Sequence, residues 1–303
     1  MLPERTGRAI GLALAIGAVL CFSLRPVLVR LAYRHAQDPV TLLALRMAFS
    51  LPFFGLAAAW QGRRSGSPPL ERRDMALVAA LGFIGYYLAS FFDYLGLQYI
   101  SAGLGRLVLF LYPTIVLLIS ALFLGKPIRG REIVALVLSY GGLGLALAGA
   151  WGGENVPLGA GLVFASAALY AVYLVGGAEV ALSIGSIRFA AYATCVAGFC
   201  CLAQFLALRP LSALAIDPVV YGLSATIAVV CTVLPVFMTA EALRRIGANT
   251  VALLGALGPV AAPLWGRIGL DEPVTLPQIL GGVLVVIGVS LVAVVKVPAG
   301  RQQ

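Results

Sequence analysis

Residues 100–127 read ISAGLGRLVLFLYPTIVLLISALFLGKP, and residues 246–273 read IGANTVALLGALGPVAAPLWGRIGLDEP. The two stretches align without a gap at a shift of 146. Ile100 falls on Ile246, Ala102 on Ala248, Pro113 on Pro259, Leu124 on Leu270, Lys126 on Glu272 and Pro127 on Pro273. Further on, Gly142 falls on Gly288. Self-similarity at half the chain length predicts two copies of one structural unit, residues 1–151 and residues 152–303.

Around this repeat the composition is extreme. Of 303 residues, 61% are hydrophobic and only 11% charged, against roughly 25% charged in soluble proteins. A soluble domain of this size has no way to cover so much apolar surface, so the chain reads as an integral membrane protein. The net charge of +9 does not require a nucleic-acid partner, because membrane proteins keep Arg and Lys in cytoplasmic loops for topology. The five cysteines all lie in apolar runs and show no metal-site spacing, so they read as small fillers. The N-terminal apolar run continues to Tyr33 without a small-x-small cleavage pattern, which reads as a retained helix rather than a cleaved signal.

A helix needs about 20 apolar residues to cross the hydrocarbon. Ten segments qualify: Ile10–Tyr33, Val40–Trp60, Met75–Leu97, Ala102–Leu124, Ile133–Trp151, Leu158–Val175, Phe189–Leu208, Val219–Ala240, Ala248–Ile268 and Leu276–Val295. With the N-terminus in the cytoplasm, 14 Arg and Lys fall inside and 3 (Arg34, Arg209, Arg267) outside. That bias places both termini in the cytoplasm. Five crossings per unit mean that the second unit enters from the opposite side. The expected fold is therefore all-α and polytopic, with ten transmembrane helices as two inverted five-helix repeats. Such repeats build alternating-access transporters, with the substrate near mid-bilayer between the halves.

Several local patterns carry a family resemblance. They are Pro39 with Arg46 on the second segment, residues 96–102 (GLQYISA) entering the fourth, Tyr112-Pro113, and Leu124-Gly125 before the fifth. The second copy adds Pro259-Val260, residues 269–273 (GLDEP), Gly281 and Gly288. In order and repetition these resemble the EamA-type transporters of the drug/metabolite transporter superfamily, over nearly the whole chain. The resemblance implies a secondary transporter of small organic metabolites in a bacterial cytoplasmic (inner) membrane, working as an exporter without a cofactor, as a monomer or weak homodimer. It also marks a departure: the family carries Glu at the end of the fourth helix in both repeats, whereas this chain has Glu272 in one and Lys126 in the other.

Four charges lie where charge is expensive, at roughly 2.5–3.5 kcal/mol each: Arg25, Arg46, Asp93 and Arg106. By a rise of ~1.5 Å per residue all four lie about 6–12 Å below the outer surface. Asp93 and Arg106 flank the shortest connection in the chain, so their pairing is the expected contact. Tyr86, Ser90 and Asp93 share one helix face. The cluster reads in two ways: as ion pairs that hold helices in register, or as a cavity lining whose formal +2 charge favours a carboxylate. In the second reading Arg46 is the first choice for the anion contact and Arg25 the next.

The second half offers Tyr170, Tyr173, Tyr192, Gln204, Tyr221 and Thr232, and the tyrosines read as interfacial anchors. The lone histidine, His35, reads as a loop residue. Pro113 and Pro259, at matching positions, each remove an N–H, so they read as hinges facing the cavity. Gly142 with Ala146, and Gly144 with Ala148, form small-xxx-small pairs on the fifth segment, suited to close helix contact.

The function class follows from these features. A membrane-embedded enzyme is disfavoured by a single histidine, no HExxH and no intramembrane carboxylate pair. A receptor or regulator that transports nothing remains the alternative. There is no Walker A sequence to drive a pump.

Overall fold

The computed structural model describes residues 4–36, 38–62, 71–125, 127–149 and 155–293. Lys126, Ser67 and the 151/152 boundary lie outside them. The described residues fold into α1 (Glu4–Tyr33), α2 (Pro39–Gly62), α3 (Arg72–Gly96), α4 (Ala102–Leu124), α5 (Gly130–Ala148), α6 (Val156–Ile184), α7 (Ser186–Leu208) and α8 (Pro218–Gly247). They continue into α9 (a helical stretch over 248–255, then Gly258–Leu270) and α10 (Leu276–Ala293). Among the described residues, eight helices, α1 to α8, are long and apolar enough to cross a membrane, and α10 is apolar but shorter. The protein is an all-α, polytopic membrane protein.

Side chains cap helices where the chain turns. Ser101 Oγ accepts the Leu104 N–H at 3.2 Å to start α4, and Asp217 accepts that of Val219 at 2.9 Å to start α8. At α5 the Glu132 carboxylate accepts the Arg129 N–H at 2.7 Å. Two helices, α6 and α8, outrun their sequence-based ends, α8 by continuing from Ala240 to Gly247. The expected end of the sixth segment at Val175 precedes Gly176 and Gly177, yet α6 continues to Ile184. Those glycines do not break the helix. A Cβ on Gly177 would stand 2.5 Å from the Phe189 ring, and one on Gly176 2.9 Å from Leu81. They are seats for neighbouring side chains.

The repeat extends to backbone irregularities that no propensity rule anticipates. A wider π turn occupies Phe83–Leu88 in α3 and Val229–Val233 in α8. α4 is interrupted at Phe110 and Leu111, α9 at Ala256 and Leu257. Both fourth helices end on a left-handed residue, Gly125 (φ 62°) and Asp271 (φ 55°). Each pair is separated by the same 146 positions. Asp is one of the few non-glycine residues that enters this region readily.

Packing follows the same rule. α1 packs on α8 and α9, and its counterpart α6 packs on α3 and α4. α2 packs along α7, and α5 along α10. At the α5–α10 seam a Cβ on Gly142 would meet the Gly281 carbonyl oxygen at 2.6 Å. A Cβ on Gly288 would meet that of Ala135, also at 2.6 Å. Positions 142 and 281 become 288 and 135 when each is carried into the other half by 146. Only one of the two expected small-residue pairs is used: Gly142 and Ala146 are buried in the seam, while Gly144 and Ala148 are exposed. Four residues apart keeps a pair on one helix face, but that spacing does not say which face meets a neighbour.

The connections after α1, α3, α7 and α9, with the last residue of α5's described stretch and the start of α6, gather at one end, here called the distal end. His35 bonds Asp217 at 3.0 Å, Arg209 bonds Asp38 at 2.9 Å, and Arg34 donates to the Leu270 carbonyl at 3.1 Å. Partial burial works against the Asp38 charge, but bonds from Arg209 and Thr41 outweigh it and hold its carboxyl below the ordinary range. The start of α1 lies at the other, proximal end, where Gly11 adjoins Arg245 and Ile246.

Candidate substrate-binding site

The four intramembrane charges come from α1, α2, α3 and α4, and all turn inward. Arg25 Nη2 donates to Asp93 Oδ2 at 2.7 Å, with the Asp93 side chain only 3% exposed. This corrects the expected pairing of Asp93 with Arg106. Equal depth across a tight turn brings two residues to one level, but helix rotation decides which neighbour each one faces. Asp93 faces α1. Arg106 instead reaches to α9, where a Cβ on Gly258 would stand 3.2 Å from its Nη2 and 3.4 Å from its Nε. Any larger residue at 258 would press on the guanidinium.

Arg46 is 2% exposed. Its Nη2 donates to Ser90 Oγ at 3.2 Å, and its guanidinium carbon lies 5.4 Å from the centre of the Tyr94 ring, a cation–π distance. Ser90 and Asp93 thus both turn to arginines, while Tyr86, on the same helix, packs against Tyr173. Arg25 Nε, Arg46 Nε, Arg46 Nη1 and Arg106 Nε are buried without a hydrogen-bond partner. Buried donors are rarely left so. Of the three arginines, Arg25 holds a carboxylate and Arg46 a hydroxyl and a ring, so Arg106 is the least engaged.

The tyrosines of the second half correct another expectation. Tyr170 and Tyr173 are not interfacial anchors. Tyr112 meets Tyr170 edge-on at 5.2 Å, Tyr170 stacks on Tyr173 at 5.9 Å, and Tyr173 stacks on Phe189 at 5.1 Å. Tyr86 meets Tyr173 edge-on at 5.0 Å. The row runs from the arginines toward the proximal end, and Tyr170 lies within electrostatic reach of Arg25 and Arg106. Long α6 makes this possible, because a helix ending at Val175 would have left Tyr173 near its tip. Tyr221 does sit at the distal rim, bonding the Leu214 carbonyl at 2.6 Å. Thr232 bonds back to Ile227 at 3.0 Å within its own helix, and Tyr192 lies beside Arg188. Gln204 Oε1 is buried without a partner.

Pro113 and Pro259 each stand in the first turn of a resumed helix, just past the interruptions of α4 and α9. That is a position where proline's missing N–H costs no bond.

One distal constellation was missed by sequence reasoning. Arg30 Nε pairs with Glu272 Oε1 at 2.9 Å, and Arg30 also donates to the Ile100 carbonyl. The Glu272 oxygens accept the Ala102 N–H at 3.2 and 3.0 Å. Above this contact lies a cleft of about 530 Å³, bordered by Arg30, Tyr33, Arg34, Gln98, Tyr99 and Glu272. The available signal was the acid in the repeated stretch, one of the few charges left beside an apolar segment.

Comparison with known proteins agrees with this architecture. The profile of the EamA-like transporter family matches twice, at residues 9–148 and 157–294. This chain belongs to the EamA-like transporter family. Membership makes it a membrane-embedded small-molecule secondary transporter rather than an enzyme. An uncharacterized transporter of Bacillus subtilis (strain 168), YcbK, is 30% identical over 282 residues, covering 88% of this chain and 87% of that protein. An uncharacterized transporter of Archaeoglobus fulgidus is 27% identical over 257 residues, 84% and 88% of the two chains. One crystal structure superposes with a TM-score of 0.63 at 20% identity, over 93% of this chain and 95% of that one. That likeness concerns the fold alone.

Proposed function

We propose that the chain exports small organic solutes bearing a carboxylate, amino acids or related metabolites among them, by alternating access between two inverted five-helix halves, residues 1–151 and 152–303. The observation that carries the substrate class is the buried cluster of Arg25, Arg46, Asp93 and Arg106, with four guanidinium nitrogens lacking partners. Three arginines against one aspartate leave a formal +2, and a carboxylate satisfies both that charge and those donors. The pairing of helices across the α5–α10 seam supports the two-fold relation of the halves. The interruptions at Pro113 and Pro259 support hinge motion of both fourth helices. Tyr86 and Ser90 complete the lining on α3. The direction, export, follows the family resemblance. The proposed setting is the bacterial cytoplasmic membrane, with both termini inside, as a monomer or weak homodimer.

Arg106 takes the leading role at the anion, ahead of Arg46, because Arg46 is engaged by Ser90 and the Tyr94 ring and Arg25 is held by Asp93. Losing one charge-assisted contact weakens binding by about 1.5–3 kcal/mol, roughly 10–150-fold. The test is counterflow in proteoliposomes for wild type, Arg106→Gln, Arg46→Gln and Arg46→Lys, using an anionic solute and its neutral amide. The expected result is selective loss of the acid in both Gln variants, with Arg46→Lys recovering part of it, since Lys lacks the planar fork. Equal transport of acid and amide, unaffected by either Gln variant, would sink the anion reading.

A further inference from the structure

We propose that Arg30 and Glu272 form a clasp that closes the distal end of the pathway, and that the equivalent positions of the repeat supply no counterpart at the other end. The inference rests on the transport reading above, since a gate presupposes a pathway. The clasp joins three elements. Arg30 comes from α1, Ile100 and Ala102 from the α3–α4 turn, and Glu272 from the α9–α10 turn of the other half. Glu272 is well placed for this by its neighbour: Asp271, in the left-handed conformation, ends α9 abruptly, and the next residue turns back over the start of α4. There its carboxylate meets the Ala102 N–H and the positive end of the α4 dipole.

The clasp stands between the 530 Å³ distal cleft and the arginine cluster. Arg30 and Glu272 border the cleft, and Arg25 lies five residues further along α1, roughly 7–8 Å at the helical rise. Tyr33 bonds the Tyr94 carbonyl at 2.7 Å in the same layer. This closure is thin. Toward the proximal end the row Tyr112, Tyr170, Tyr173 and Phe189 makes a deeper one.

The repeat makes the asymmetry explicit. Carried back by 146, position 272 becomes Lys126, and Arg30 carried forward becomes Gly176. A lysine has no oxygen to offer a helix N-terminus, and a glycine has no cation to offer an acid. The proximal counterpart of the clasp therefore lacks both chemical partners. Separating the halves at the distal end must break the Arg30–Glu272 pair and the Ala102 bonds. The equivalent positions at the proximal end offer no such pair to break.

The test measures distance without substrate, so its outcome is independent of whether the anion reading holds. Spin labels at Tyr99→Cys and Val274→Cys, in a background with the five native cysteines replaced, report separation of the α3–α4 and α9–α10 turns in nanodiscs. Glu272→Gln keeps an acceptor for Ala102 but removes the charge, and Arg30→Gln removes the other partner. Each is expected to raise the separated population about tenfold, the loss of one charge-assisted bond at ~1.4 kcal/mol per tenfold. Arg30→Lys is expected to restore most of the closed population, and the shift in Glu272→Gln, which leaves the arginine stem in place, is what a packing role for that stem does not predict. If the distance distribution in both Gln variants matches wild type, the clasp does not hold the distal end and the proposal fails. Flux that is normal toward an anion with unchanged distances overturns the clasp alone. Shifted distances with no anion preference overturn the substrate reading alone.

Discussion

At the scale of single residues, the Arg25–Asp93 pair is the sharpest claim. The Asp93 side chain is 3% exposed, and removing its charge strands a buried guanidinium. Asp93→Asn is expected to cost about 3–5 kcal/mol, as broken buried pairs do. Adding Arg25→Gln removes the stranded charge and is expected to recover part of that loss, whereas adding Arg106→Gln is not. Thermal unfolding in detergent for Asp93→Asn, Arg25→Gln, Arg106→Gln and the two double variants measures the coupling. Equal rescue by Arg106→Gln would show that the two arginines share Asp93. The presence of these charges and their common depth were legible from position alone. Their partners were not, because hydropathy fixes how far along a helix a residue lies and leaves its rotation about the axis open.

At the scale of elements, the α5–α10 seam shows what small residues do without a hydrophobic drive between helices in lipid. Backbones approach until a Cβ on Gly142 would collide with the Gly281 carbonyl. Gly142→Val is therefore expected to destabilise by about 1–3 kcal/mol through overpacking. Gly144→Val, on the exposed face with nothing within 4 Å, is expected to leave stability unchanged. Apparent melting temperatures in detergent separate the two. Equal destabilisation would mean that α5 is rotated from the position described. The same contrast explains the length of α6. Gly176 and Gly177 look like a stop in sequence, since glycine is both helix-breaker and contact residue. Only the presence of Leu81 and Phe189 across the gap decides which role it takes.

At the scale of the whole molecule, the proposed inverted arrangement predicts sidedness. Single cysteines at Ser67 and Asn155, in a cysteine-free background, are expected to label from opposite sides of the membrane with an impermeant maleimide, Ser67 from the cytoplasm. Labelling of both from the same side overturns the topology. The one-dimensional string determined the membrane character, the helical segments and the repeat. Those depend on apolar run length and on self-similarity, which are properties of order along the chain. It also carried the family, since order and spacing are what a family shares. The tertiary structure alone decided that Asp93 takes Arg25, that Arg106 is left facing Gly258, that Tyr170 and Tyr173 line the interior, and that Glu272 reaches Arg30 across the two halves. Each of those depends on which face of one helix meets which face of another, and that is set by packing among segments far apart in sequence.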